Sequence, residues 1–205
     1  LGSNDPVIEE KSLELMKKCI ELAQDLGVRT IQLAGYDVYY EEKSPQTRQR
    51  FIKNLRKACD WAEEAQVVLA IEIMDDPFIN SIEKYLAVEK EIDSPYLFVY
   101  PDIGNVSAWH NDVYSEFYLG HHAIAALHLK DTYAVTESSK GQFRDVTFGQ
   151  GCVKWEEAFD ILKQTNYNGP FLIEMWSENC ETVEETRAAI QEAQAFLYPL
   201  IKKAG

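Results

Sequence analysis

Four ionisable residues stand where hydrophobic, strand-like runs of the sequence end: Glu72, Asp102, His128 and Glu174. The run before the first of them, Val67–Ile71, is rich in β-branched residues and typical of a strand buried on both faces. Such a strand ends in an ionisable group when that end faces a cleft. Burying several like charges without a cation is very costly, so the four residues together predict a metal site. Three carboxylates and one imidazole can hold one divalent cation.

The sequence alternates between segments of helical periodicity and short strand-like segments. The strand-like segments would place the four ionisable residues at their ends. From apolar stripes and capping residues, we expect helices that begin near Val7, Pro45, Ser81, Val113, Trp155 and Thr182. We expect strands at 29–34, 67–74, 97–102, 125–130 and 170–176. Residues 131–153 are expected to form a longer loop. Five repeats of strand and helix indicate a parallel sheet with right-handed crossovers.

Two architectures contain such a sheet, an open doubly wound sheet and a closed (β/α)8 barrel. Open sheets commonly bind ligands beside a glycine-rich first turn, and no G-x-G-x-x-G motif opens a helix after a strand in this sequence. In a barrel, the carboxyl ends of all strands converge on one axis, as four functional strand ends require. We therefore predict an α/β protein with a TIM (β/α)8-barrel that is incomplete, with about five βα units, as one domain over residues 1–205.

Composition excludes several classes of protein. The 34 acidic residues outnumber the 20 basic ones and give a net charge of -14, which argues against nucleic acid as a partner. No apolar stretch approaches the roughly 20 residues that span a bilayer. The first six residues lack the charged and apolar regions of a signal peptide. We expect a cytoplasmic protein with no membrane partner.

The motifs around the strand ends resemble those of a known family. They are Ile31–Tyr40, Tyr100–Asn105, His128–Thr132 and Leu172–Trp176. Together they closely resemble the L-ribulose-5-phosphate 3-epimerases of the ascorbate-utilisation type, also called L-xylulose-5-phosphate 3-epimerases, which belong to the xylose-isomerase-like barrels. The resemblance covers nearly the whole sequence. It implies that the sequence starts after the third strand of the family's barrel and corresponds to the C-terminal part.

The resemblance also implies a site and a reaction. Glu72, Asp102, His128 and Glu174 would hold one divalent metal ion, with Mn, Zn, Co and Mg all open as its identity. Glu72 and Glu174 would also carry protons to and from C3 of a ketose through an enediolate. Related free-ketose epimerases place a histidine three residues after the aspartate ligand, where this sequence has Asn105. The asparagine is shared by the phosphopentulose epimerases and implies a small-molecule sugar phosphate as substrate.

A phosphorylated substrate requires cationic groups near the same strand ends. Lys130 lies two residues after His128, so strand alternation directs both side chains to the same side. Arg144 lies in the glycine-containing loop that follows. Each residue has a second interpretation: Lys130 as the ion-pair partner of Asp102 or Glu174, and Arg144 as a solvated loop residue.

Three other functions share parts of this pattern. An aldose–ketose isomerase of the same superfamily would move a proton between C1 and C2. Apurinic-site endonucleases also use the barrel, but they hold several metal ions with several histidines, and here only His128 stands at a strand end. A barrel without three strands has unpaired edges, so the chain could instead bind metal without catalysis or pair with a second copy as a homo-oligomer.

Overall fold

The computed structural model of the chain describes residues 1–204. Its helices are α1 (Pro6–Leu26), α2 (Pro45–Ala65), α3 (Ile82–Ile92), α4 (Ile103–Ala108), α5 (Val113–Gly120), α6 (Trp155–Gln164) and α7 (Val183–Ala204). Its strands are β1 (Thr30–Ala34), β2 (Val68–Glu72), β3 (Leu97–Tyr100), β4 (Leu127–Leu129), β5 (Asp131–Tyr133), β6 (Gln142–Val146) and β7 (Phe171–Ile173). A 3₁₀ turn covers His121–Ala123.

Five parallel strands form one continuous arc of barrel wall. Strand β2 pairs with β1 on one side and β3 on the other, and β4 pairs with β7. Isolated parallel bridges, Val99 to Ile124 and Asp102 to His128, connect β3 to β4. The order is therefore β1, β2, β3, β4, β7, and helices connect successive strands. This arrangement agrees with the predicted five βα units of an incomplete barrel.

The helices begin at the capping residues that the sequence predicts. Ser44 accepts a hydrogen bond from the Thr47 backbone N–H, and the Thr47 hydroxyl accepts one from the Ser44 N–H, which completes a capping box. Ser81 caps α3 through the N–H of Lys84. Gly27 ends α1 in the left-handed conformation at φ 69°, which a glycine adopts without steric cost.

One cluster of buried apolar side chains lies between the strands and the helices that cover them. Leu69 and Ile71 of β2 and Leu55 of α2 are fully buried in it. On the opposite, inner face of the strands the buried residues include the small Ala70 and Ala126. Small inner residues leave room above them for longer polar side chains at the strand ends.

Residues 131–153 differ from the prediction of a loop, because they contain an antiparallel pair of strands, β5 and β6. Strand β6 is short and mostly exposed, so its sequence carries no apolar alternation to detect. Helix α4 was also not predicted, because its six residues are too few to establish a helical period. Among the described residues, no helix has both the length and the apolar character needed to cross a bilayer.

Candidate metal centre

The structure brings the four predicted ligands together at the carboxyl ends of the parallel strands. Glu72 ends β2, Asp102 follows β3, His128 lies in β4, and Glu174 follows β7. One potential ligand atom of each lies within 4.8 Å of the others. Glu72, Asp102 and His128 are buried, and the side chain of Glu174 is 22% exposed. The cluster therefore opens towards solvent on the side of Glu174.

His128 lies at the centre of the cluster. Its Nδ1 is 2.8 Å from Oε1 of Glu72 and 2.9 Å from Oε2 of Glu174. Nδ1 is thus hydrogen-bonded to Glu72 and is also in close contact with Glu174. Burial alone would lower the pKa of His128, but the two glutamates outweigh it and raise the pKa to about 9. Without a metal ion, the ring is therefore a cation at neutral pH.

Lys130 contributes a buried positive charge to the same cluster. Its Nζ lies 3.0 Å from Oδ2 of Asp102 and 3.4 Å from Oε1 of Glu174. Burial would lower the pKa of Lys130, but attraction to these carboxylates outweighs it and raises the pKa. The side chain thus points to the same side as His128, as strand alternation predicted, and both ion pairs of the alternative interpretation are present.

Asp102 and Glu174 titrate differently because their surroundings differ. Complete burial raises the pKa of Asp102, Lys130 opposes this effect, and the negative charge of Glu174 adds to it. For Glu174, burial acts in the same upward direction, but the contact with His128 and the charge of Lys130 lower its pKa. Oδ1 of Asp102 also accepts the N–H of Asn105 at 2.9 Å and so caps α4.

The residues present fit a divalent cation. Nε2 of His128 is buried without a hydrogen-bond partner among the described residues, while Oδ2 of Asp102 and Oε2 of Glu174 have ion-pair contacts with Lys130 and His128. With all three carboxylates ionised as ligands, the ammonium of Lys130 would leave a net charge of -2 on the cluster, because three negative charges meet one positive charge. One divalent cation would neutralise this charge with His128 as a neutral ligand.

The structure places the predicted substrate-binding residues in different surroundings. Asn105 is fully buried in α4; its Nδ2 donates to the carbonyl of Ile73 at 2.8 Å, and its Oδ1 has no partner among the described residues. Arg144 is exposed on β6, and its Cζ lies 5.1 Å from the centre of the Trp176 ring. Nζ of Lys130 lies 5.4 Å from the same ring. The side chains of Lys130 and Arg144 therefore both lie within cation–π distance of the Trp176 ring.

A cavity opens beside Glu174. It is bounded by the strand pair β5–β6, the segment after β7 and helix α7, and its walls include Lys130, Glu174, Trp176, Phe148 and Phe196. The lining also includes the charged residues Asp145 and Glu192. Of the four clustered residues, Glu174 is the one that lines this cavity.

Gln32 belongs to the site although the sequence analysis did not select it. Its Nε2 donates a hydrogen bond of 2.6 Å to Oε2 of Glu72. A polar residue between the apolar Ile31 and Leu33 of a strand was the signal that could have identified it. The three remaining histidines are exposed on the surface and lie outside the cluster: His110, His121 and His122.

Comparison with known proteins gives the family. A model of the xylose isomerase-like TIM barrel family matches residues 1–200. The putative L-ribulose-5-phosphate 3-epimerase SgbU of Haemophilus influenzae is 52% identical over 204 residues, which cover 100% of this chain and 70% of the relative. L-ribulose-5-phosphate 3-epimerase UlaE of Escherichia coli O157:H7 is 47% identical over 205 residues, which cover 100% of this chain and 69% of the relative.

Solved structures with the same fold include ketose 3-epimerases. An L-ribulose 3-epimerase matches with a TM-score of 0.79 at 19% identity, covering 99% of this chain and 71% of the other. D-allulose 3-epimerase from Methylomonas sp. in complex with D-allulose matches with a TM-score of 0.76 at 20% identity, covering 100% of this chain and 72% of the other. These matches confirm the predicted TIM-barrel fold, of which this chain covers the larger part.

Proposed function

Since the chain belongs to the L-ribulose-5-phosphate 3-epimerases of the xylose isomerase-like TIM barrel family, whose members are isomerases, we propose that it interconverts L-xylulose 5-phosphate and L-ribulose 5-phosphate. The observation that carries the proposal is the pair of glutamates in one cluster. Glu72 and Glu174 come from strands separated by two others, and both reach the same nitrogen of His128. We propose that residues 1–205 act as one domain, in the cytoplasm and in ascorbate utilisation.

Inversion at C3 of a ketose requires two proton carriers. The proton next to the carbonyl is removed on one face and returned on the other, through an enediolate. In the proposal, one of Glu72 and Glu174 takes the proton and the other supplies one. Burial would raise the pKa of Glu174, but the contact with His128 and the ammonium of Lys130, 3.4 Å away, lower it and favour the ionised carboxylate. The cavity beside Glu174 gives the substrate access to this carboxylate.

A divalent metal ion is the proposed cofactor. Glu72, Asp102, His128 and Glu174 would hold it, and Mn²⁺, Mg²⁺, Co²⁺ and Zn²⁺ are all compatible with this set of oxygen and nitrogen ligands. When bound, it would supply Lewis acidity that stabilises the negative charge of the enediolate. The buried Nε2 of His128, which has no hydrogen-bond partner among the described residues, supports this assignment.

We assign the binding of the sugar phosphate to Asn105, Lys130 and Arg144. Arg144 is the better candidate for direct contact with the phosphate, because its guanidinium is exposed and lies beside Trp176 at the cavity. Lys130 is buried and already paired with two carboxylates, so its main effect on the substrate would act through Glu174. Asn105 has a free amide oxygen that could accept a hydroxyl.

The alternative of a chain that binds metal without catalysis is supported by one observation. Strands β1 and β7 each pair on one side only within residues 1–204, so the arc has two open edges. Open edges favour association with another chain or segment. A chain of this kind could hold the metal ion without turnover, and the experiment below separates the two functions.

The experiment is hydrogen exchange of L-ribulose 5-phosphate in D₂O, followed by NMR with added Mn²⁺ or Zn²⁺. The wild type, Glu174→Gln and the control Glu64→Gln, which changes an exposed residue of α2, are compared. We expect deuterium at C3 with the wild type and control, and a loss of at least about 100-fold with Glu174→Gln. Deuterium at C1 alone would favour an aldose–ketose isomerase. Folded, metal-loaded protein without any exchange would favour the non-catalytic alternative.

A further inference from the structure

Gln32 makes a direct contact with a residue of the candidate metal centre. It lies in the middle of β1, and its Nε2 is 2.6 Å from Oε2 of Glu72. Its neighbours Ile31 and Leu33 face the helices and pack in the apolar core, so Gln32 faces the inner side of the arc. A long amide side chain at an inner position has one hydrogen-bond acceptor here, and this acceptor is a proposed metal ligand.

The strand register explains how Gln32 reaches Glu72. In the parallel pair of β1 and β2, Gln32 stands opposite Ala70, and Ala34 stands opposite Glu72. Residues two apart on a strand face the same side, so Gln32, Ala34, Ala70 and Glu72 all lie on the inner surface. The two alanines are small, and the glutamine side chain extends past them towards the strand end. An alanine or asparagine in place of Gln32 would be too short to do so.

The two oxygens of Glu72 have different partners. Oε2 receives the amide of Gln32, and Oε1 receives Nδ1 of His128 at 2.8 Å. Together, these two hydrogen bonds fix the plane of the carboxylate. Without Gln32, Oε2 would lose its hydrogen bond, and the terminal torsion of Glu72, which has a broad energy minimum, would be free to turn.

We infer that Gln32 is a positioning residue, which orients the carboxylate of Glu72 within the proposed metal site. The inference rests on the proposed metal site and goes beyond it by adding a residue from β1. A neutral amide suits this position, since it orients the carboxylate without changing the net charge of the site. Glu174 has the ammonium of Lys130 beside it instead, and both glutamates contact His128. The amide of Gln32 is therefore the contact particular to Glu72.

Mn²⁺ binding to the metal-free protein, measured by electron paramagnetic resonance, tests the inference without any turnover. We compare the wild type with Gln32→Leu, which keeps the size but removes the donor, and Gln32→Asn, which keeps the amide but shortens it. Gln49→Leu, at an exposed site on α2, is the matched control. Loss of a hydrogen bond to a metal ligand typically costs about 10–100-fold in affinity. We expect this loss in both Gln32 variants and wild-type affinity in the control.

Steady-state kinetics of the same proteins give a second measurement. A positioning role predicts a lower kcat with KM nearly unchanged, because Gln32 contacts a proton carrier and not the substrate. Denaturation midpoints equal to that of the wild type would show that the variants fold. Equal Mn²⁺ affinities of wild type, Gln32→Leu and Gln32→Asn would overturn the inference alone. If the wild type itself bound no Mn²⁺, the metal site would be overturned, and the inference with it.

Discussion

Replacement of Asp131 by asparagine should destabilise the segment that follows the strand pair β5–β6. Asp131 is buried, and five N–H groups point at its carboxylate. Oδ1 accepts from the backbone N–H of Thr132 at 2.9 Å and of Val153 at 3.3 Å. Oδ2 accepts from the backbone N–H of Gly149 and Gly151 and from Nε1 of Trp155, at 2.8, 3.2 and 3.2 Å. Asp131 therefore ties the loop and the start of α6 to the end of β4.

The magnitude follows from the geometry of the amide. The NH₂ group of an asparagine side chain would take the place of either Oδ1 or Oδ2 of Asp131. Each of these oxygens accepts at least two hydrogen bonds in the wild type. The less costly orientation places it at Oδ1, where it would face the N–H groups of Thr132 and Val153. Two hydrogen bonds to a charged acceptor are worth about 1.5–3 kcal/mol each, so we expect a loss of about 3–6 kcal/mol in the free energy of unfolding. The three bonds that remain would also weaken, because their acceptor becomes neutral.

Urea denaturation followed by circular dichroism measures this loss, with Asp145→Asn as the control. Asp145 is exposed on β6 and has φ 56°, a conformation that asparagine also adopts readily. The control should remain within about 0.5 kcal/mol of the wild type. Hydrogen exchange at the amides of Gly149, Gly151 and Val153 should become faster in Asp131→Asn only. A loss below about 1 kcal/mol, with unchanged exchange at these amides, would refute the reasoning.

Two further predictions concern the metal centre and its support. The metal-free protein should lose stability as the pH rises from about 6.5 to about 9, because His128 has a pKa raised to about 9 in the folded state and 6.5 in the unfolded chain. The stabilisation by protonated His128 is complete below pH 6.5 and is lost as the pH rises through about 9. Denaturation midpoints at pH 6.5 and pH 9 measure this loss, and a higher midpoint at pH 9 would contradict the prediction. Gly104→Ala should cost about 1–3 kcal/mol and weaken Mn²⁺ binding, because a Cβ there would lie 2.7 Å from the carbonyl oxygen of Lys130. Thermal denaturation and Mn²⁺ titration measure both effects, and a variant with the wild-type midpoint would show that α4 can shift freely.

The sequence predicted the parallel strands and most helices because their signals are local. Ser44, Ser81 and Gly27 mark helix ends by side-chain or backbone chemistry that acts within four residues. The strand pair β5–β6 was predicted as a loop because β6 is short and mostly exposed, so its sequence shows no apolar face. The extent of the single domain and the oligomeric state stay predictions.

The clustering of the four proposed ligands could be predicted from the sequence, because the carboxyl ends of parallel strands meet in a barrel. His128 and three carboxylates were selected by their position in the sequence, and the structure brings all four within one cluster. Gln32 could not be selected in the same way, since its role depends on reaching across to the next strand. Strand alternation predicted the side of the strand on which Lys130 lies, and one of its two interpretations was an ion pair with Asp102 or Glu174. The structure shows that Lys130 contacts both carboxylates.

Exposure and hydrogen bonding divide the roles among the three carboxylates. Asp102 is fully buried, its Oδ1 caps α4 and its Oδ2 lies beside Lys130. The proposed function therefore assigns it to holding the cation. Glu174 borders the cavity, and the carboxylate of Glu72 is hydrogen-bonded to Gln32 and His128. These are the two carboxylates to which the proposed function assigns the transfer of the proton at C3.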